Sequence, residues 1–109
     1  MTLFGQYLTE LCGKNIIESD IGFITYSFLE DSVYIEDLFV LPDHRKTSEA
    51  SKMADEVSEI ARSKGYKKLM GSVIPANKNS TESLKVLLAY GFKLDSSTTN
   101  FILMKKDLV

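Results

Sequence analysis

The chain is short of the residues that would place it in a disulfide-stapled, metal-stapled or membrane-spanning class. Its one cysteine, Cys12, cannot close an internal disulfide, and with no cysteine or histidine partner at ligand spacing it makes no metal site. No apolar run approaches the roughly 20 residues that cross a bilayer. Residues 1 to 5 carry no cationic stretch leading into an apolar one, so the expectation is a soluble chain without an export signal or membrane contact, suited to a reducing cytoplasm. Only six glycines and two prolines occur among 109 residues, with 44% hydrophobic and 26% charged side chains, which excludes wholesale disorder. At 12.2 kDa there is material for one core and not for two, so any function must fit on a single domain, residues 1–109.

Charge is unevenly distributed. Residues 1 to 43 hold eight acids against Lys14 alone, a net of −7, and residues 44 to 109 hold twelve basic side chains against seven acids, a net of +5. Two solvated surfaces of opposite sign account for this, as does a site that joins an anionic ligand to a cationic one.

Residues 2 to 12 place Leu3, Phe4, Tyr7, Leu8, Leu11 and Cys12 at helical spacing, with Gly13 as a stop. Residues 15 to 19, 21 to 29 and 33 to 41 are rich in Ile, Val, Phe and Tyr and read as three strands joined as hairpins. From about Thr47 to Lys64 the apolar positions Ala50, Met53, Ala54, Val57, Ile60 and Ala61 follow the 3.6-residue period, and Gly65 closes that helix. A strand at 68 to 74 stops at Pro75. A helix follows at 80 to 90, capped by Asn79 with Glu82 and ended by Gly91, and the last strands fall at 92 to 95 and 99 to 106 around a turn at Asp95 to Thr98. The fold class is α/β in the mixed α+β sense: helices on a mixed sheet, with no internal repeat.

The segment that carries chemistry runs from Leu38 to Ala50, where a strand ends at Pro42 and a turn bearing Arg45 and Lys46 leads into a helix. The first turn of a helix presents N–H groups without internal acceptors together with a partial positive charge, which suits a phosphate. Any strand-to-helix junction shares that property, so on this ground alone a generic, empty junction stands equal with an anion site.

Leu38-x-Val40-x-Pro42-x-x-Arg45-x-x-Ser48-x-Ala50 resembles the acetyl-CoA signature of the GNAT superfamily of N-acetyltransferases. Val33 to Val40 is similar to the preceding strand of that family, particularly in spermidine/spermine acetyltransferases, and Lys68 to Ile74 followed by Asn77, Asn79, Ser83 and Gly91-Phe92 resembles its second conserved block. The resemblance implies a mostly antiparallel twisted sheet with flanking helices, shortened at its start. It also implies a V-shaped opening between the strands at 33 to 41 and 68 to 74 that takes acetyl-CoA. The backbone of Leu38, Phe39 and Val40 would then bind the pantetheine arm, with the side chains of Leu38 and Val40 in the core. Arg45, Lys46, Thr47, Ser48, Glu49 and Ala50 would hold the pyrophosphate, and Asn79 and Ser83 would contact the pantetheine or the sulfur end, a helix cap at Asn79 and a plain surface position at Ser83 being the alternatives.

The implied reaction is attack of an amine on the thioester, which needs a base for the ammonium proton and a proton for the departing thiolate. Glu36 matches the position of the family's carboxylate base, and partial burial would raise its pKa. Asp37, on the opposite strand face if side chains alternate, would help to bind a cationic acceptor. A solvated or salt-bridged surface is the plainer account of the same Glu-Asp pair. Two positions depart from the family pattern: Ser48 stands where glycine is usual, and Leu87 where a tyrosine often protonates the thiolate. The expected function is therefore acetyl-CoA-dependent N-acetyl transfer to a primary amine of a small molecule or protein, with a homodimer common in such folds. The rival is an impaired domain of the same fold that binds acyl-CoA or a protein. Twelve cations spread through helices and loops, without an aromatic-basic motif, argue against a nucleic-acid partner.

Overall fold

A computed structural model describes residues 2–44, 48–75, 80–98 and 100–108, less the side chains of Ser80, Glu82 and Ser83. The elements run α1 (Leu3–Leu11), β1 (Asn15–Glu18), β2 (Gly22–Phe28), β3 (Val33–Val40), a 3-10 turn (Pro42–His44), α2 (Glu49–Ser63), β4 (Lys68–Val73), α3 (Ser80–Tyr90), β5 (Lys93–Thr98) and β6 (Phe101–Asp107). Six strands form one sheet in the order β1-β2-β3-β4-β6-β5, and every neighbouring pair is antiparallel except β3 with β4.

Apolar alternation in β2 and β3 decides which face the helices cover. Ile24, Tyr26, Val33 and Val40 pack with Met53, Val57 and Ala61 of α2 and with Leu69, Phe92 and Met104 in one buried cluster. Leu84 and Leu87 of α3 close its side, so α2 and α3 lie together on this face. The close seat of α2 depends on Gly22: a Cβ there would meet Phe39 O at 2.4 Å and Met53 Cε at 3.3 Å. The end of α3 is tied by Gly91 N–H to Leu88 O at 3.1 Å and by Phe92 N–H to Leu87 O at 2.9 Å, a pairing that turns Phe92 back into the core.

The other face carries Phe23, Thr25, Ser27, Tyr34 and Phe39 and is reached by α1. Thr2 caps α1 by accepting from Gly5 N–H at 3.0 Å, and its own hydroxyl donates to Glu18 at 2.8 Å. The helix forms as its spacing predicts, but its apolar stripe is turned outward. Gly5 and Leu8 are buried, whereas Leu3 and Leu11 are 86% and 76% exposed and Phe4 and Tyr7 are exposed as well.

Two regions differ from the sequence expectation by more than one residue. The last hairpin turns after Thr98, not across Asp95 to Thr98, because the register skips Asp95 between Leu94 and Ser96. Asp95 is the extra residue of a bulge, and it pairs with Lys105 at 3.5 Å. Polar side chains suffice in β5 because it is an exposed edge strand that needs only backbone pairing. The second difference is at α2, which starts at Glu49 after Ser48, whose side chain makes no capping bond. Among the described residues no helix is long and apolar enough to cross a membrane.

Candidate active site at the parting of two strands

Parallel β3 and β4 run side by side over three paired positions, Val33 with Leu69, Tyr34 with Met70 and Ile35 with Gly71. Among the described residues they share no pairing beyond these, although β3 continues to Val40 and β4 to Val73. The sheet therefore opens between them toward the end where the chain passes from β3 through the 3-10 turn into α2. The helix face of the parting point is filled by Leu87 and Phe92, which stand 3.5 and 3.7 Å from where a Cβ on Gly71 would lie. On the other face the hydroxyls of Tyr34 and Ser72 are hydrogen-bonded across the two strands.

Glu36 follows Ile35 and is the extra residue of a second bulge: β2 pairs Thr25 with Asp37 and Tyr26 with Ile35, leaving Glu36 between them. The bulge resets the alternation, so Val33 and Ile35 share a face with Leu38 and Val40, while Glu36 and Asp37 both project to the opposite face. Their bonds confirm it, because Ser27 Oγ donates to Glu36 Oε1 at 2.5 Å and Thr25 Oγ1 donates to Asp37 Oδ2 at 3.0 Å, from two residues on one face of β2. The expectation that Asp37 would point away from Glu36 is corrected accordingly. Asp37 is exposed and Glu36 is half-buried.

Lys14 completes the cluster, with Nζ 2.7 Å from Glu36 Oε2. Burial is the largest influence on Glu36 and pushes its carboxyl up, but hydrogen bonds from Lys14 and Ser27 and the charge of Lys14 outweigh it and leave the group below its ordinary value. This reverses the raised value that burial alone predicts. Lys14 is raised in turn, mainly by its hydrogen bond to Glu36 and then by that carboxylate's charge.

The remaining predicted residues fall in several places. Val40 is buried as expected, but Leu38 is 36% exposed, because it lies beyond the parting point where β4 no longer flanks β3. Phe39 stacks on Phe23 with ring centroids 5.9 Å apart, and the two line a shallow hollow of about 190 Å³ with Glu18, Asp20 and Leu41. Ser48, Glu49 and Ala50 stand at the start of α2, where Glu49 places a negative charge that favours the helix dipole and opposes an anion, while the backbone N–H groups of the first turn favour one. Arg45, Lys46, Thr47, Asn77 and Asn79 lie outside the described residues, as do the side chains of Ser83 and Glu82. A larger hollow, lined by Glu30, Tyr66 and Lys68 among others, sits at the closed end of the strands, away from this cluster.

Sequence reasoning missed Lys14, Ser27, Thr25, Tyr34 and Ser72. Two signals were present: Thr25 and Ser27 are small polar residues two apart in an otherwise apolar strand, and Lys14 is the lone cation among the first 43 residues.

The profile of the acetyltransferase (GNAT) family matches residues 9–87, most of the chain. The chain belongs to the GNAT acetyltransferase family. It is 29% identical over 76 residues to the thialysine N-epsilon-acetyltransferase of Bos taurus, a match spanning 69% of this chain and 45% of that protein, less than half of the relative's length. Among solved structures it is similar to a GNAT family acetyltransferase from Elizabethkingia anophelis with acetyl-CoA bound, with a TM-score of 0.72 and 19% identity over 97% of this chain and 82% of that one. It is also similar to the PaiA N-acetyltransferase from Thermoplasma acidophilum in complex with coenzyme A, with a TM-score of 0.73 and 18% identity over 84% and 60% of the two chains. The anti-CRISPR protein AcrVA5 matches with a TM-score of 0.71 and 23% identity, over 85% of this GNAT chain and 97% of its own. At these identities the structures establish a shared fold, a six-stranded, mostly antiparallel sheet with flanking helices.

Proposed function

We propose that the chain transfers an acetyl group from acetyl-CoA to a primary amine of a small molecule or a protein. The observation that carries this reading is the bulge that sets Glu36 and Asp37 on one face immediately past the last pairing of β3 with β4. The fit of the cosubstrate follows from the same geometry. Two strands that part present inner edges on which an extended amide arm can lie as an added strand. At the mouth, the start of the 15-residue α2 offers backbone N–H groups to a diphosphate. Leu38, Phe39 and Val40 are the residues for the arm. Ser48, Glu49 and Ala50, with Arg45, Lys46 and Thr47 before them, are those for the diphosphate, and Asn79 and Ser83 are assigned to the sulfur end.

On this reading the acceptor ammonium is drawn to Asp37 and gives its proton to Glu36, which its lowered pKa keeps ionised at neutral pH. The neutral amine then attacks the thioester carbon, the C–N bond forms, the C–S bond breaks, and the thiolate takes a proton from water. Phe39, two residues beyond Asp37 on the same face of β3, forms with Phe23 and Leu41 an apolar floor for the body of the acceptor.

A second reading, an acyl-CoA-binding or protein-binding module without turnover, draws on Leu87. It fills the helix side of the parting point with a side chain that has no proton to give. Release of CoA thiol on mixing acetyl-CoA with a panel of amines and peptide amino termini tests both. The transferase reading predicts amine-dependent release that falls about a hundredfold or more in Glu36→Gln with acetyl-CoA affinity retained. Binding without release from any amine favours the module, and an unchanged rate in the variant removes Glu36 as the base.

A further inference from the structure

We propose that Lys14 is itself an acceptor, so that the chain acetylates its own Lys14 Nζ from acetyl-CoA. The inference rests on the transferase reading above and adds a modification site to it.

Lys14 is positioned from both ends. Gly13, at φ +67°, adopts a left-handed turn that a side chain would disfavour, and it folds the chain back at the end of α1 so that the Lys14 N–H donates to Leu8 O at 3.1 Å. The side chain then crosses from α1 to β3 and ends 2.7 Å from Glu36 Oε2, while Ser27 holds the other oxygen of the same carboxylate. Glu36 follows Ile35, the last β3 residue paired with β4, so amine, base and opening are contiguous. An external amine that gives its proton to Glu36 shares this carboxylate with the Lys14 ammonium, which already holds one of its oxygens. Two further lysine ion pairs lie away from this opening, Lys68 with Asp31 at the closed end of the strands and Lys105 with Asp95 on the far hairpin.

The step balances without a further reagent. The proton of the Lys14 ammonium passes to Glu36, the freed lone pair attacks the acetyl carbonyl, the C–N bond forms as the C–S bond breaks, and coenzyme A leaves as a thiolate that takes a proton from water. Glu36 then returns its proton to solvent. The product is a neutral amide at position 14, which no longer neutralises Glu36, so the carboxylate is released toward the ammonium of an external acceptor. Self-modification thus precedes turnover on other amines.

The test is peptide mapping by mass spectrometry of the full chain after incubation with acetyl-CoA and no added amine. Exposed Lys52 and Lys64 serve as internal measures of uncatalysed acetylation. Lys14 should gain one acetyl group about a hundredfold faster than either. That excess should vanish in Glu36→Gln and, in the unaltered chain, under competing desulfo-CoA, which serves if the variant folds poorly. Labelling of Lys14 no faster than Lys52 and Lys64, in a preparation that releases CoA thiol with an added amine, overturns the inference and leaves the transferase reading standing. Absence of acetyl-CoA binding to the folded full chain overturns both.

Discussion

Glu36 and Asp37 are adjacent in β3 and yet project from the same face of the sheet, one held by Ser27 and the other by Thr25. A regular strand would send them to opposite faces. The bulge therefore concentrates two negative charges beside the opening, one half-buried and one exposed, and the proposed function gives proton acceptance to the first and acceptor binding to the second. Because Asp37 is exposed, its attraction for a cationic amine is modest. Asp37→Asn should raise KM for such an amine about two- to fivefold with kcat nearly constant, measured in steady state at saturating acetyl-CoA. Equal KM values for the two proteins contradict the role given to Asp37.

The pair formed by Lys14 and Glu36 sets a pH window with a defined sign. Glu36 lies below its ordinary 4.5, so its contribution to stability is present above that value and lost as pH falls through its lower folded value. Lys14 lies above its ordinary 10.5, so its contribution is complete below that value and lost as pH rises through its higher folded value. Asp37, the other carboxylate acting on Lys14, acts in the same direction. Lys14→Met should therefore melt at a lower temperature than the unaltered chain at neutral pH. Calorimetric scans below pH 4.5 should show that gap closing. In the same variant burial of Glu36 is opposed only by Ser27, so the Glu36 carboxyl should titrate at higher pH than in the chain whose Lys14 is unmodified. A gap that does not vary with pH contradicts the coupling.

Tyr90 is the tyrosine nearest in sequence to Leu87, and its hydroxyl is already committed. It donates to Asp55 Oδ1 at 2.6 Å and shares a hydrogen bond with Ser58 at 3.2 Å, fastening α3 to α2. Burial and the Asp55 carboxylate both hold its pKa above the ordinary value, and Lys106 lies 4.7 Å from its ring. Tyr90→Phe should cost about 1 kcal/mol in urea unfolding and leave the transfer rate within about twofold of the original. A rate loss near a hundredfold with stability unchanged would instead make Tyr90 the proton donor to the thiolate.

Most of the fold was legible because its elements carry strong local patterns. The period of Met53, Val57 and Ala61 marks α2, and the alternation of β2 gives the face that α2 covers. The splay was reachable only through resemblance, since nothing in the composition of β3 or β4 says that their pairing stops after Ile35 and Gly71. Bulges were invisible for a physical reason: an extra residue leaves the run of strand-forming side chains intact and changes only the register against the partner. Asp37 was assigned to the wrong face for that cause, and Asp95 was read as a turn for the same one. The sign of the Glu36 shift was likewise out of reach, because burial was inferable from its apolar neighbours whereas Lys14, 22 positions earlier, meets it only through the fold. The outward stripe of α1 shows the converse limit, since helical periodicity fixes a face but not what covers it.

Calorimetric titration of the purified chain with acetyl-CoA, with desulfo-CoA as competitor, is the sharpest test of whether the opening between β3 and β4 binds acetyl-CoA. Binding should be saturable at one site per chain, displaced by desulfo-CoA and weakened in Arg45→Ala. Absence of saturable heat, or binding that Arg45→Ala and desulfo-CoA leave untouched, contradicts it.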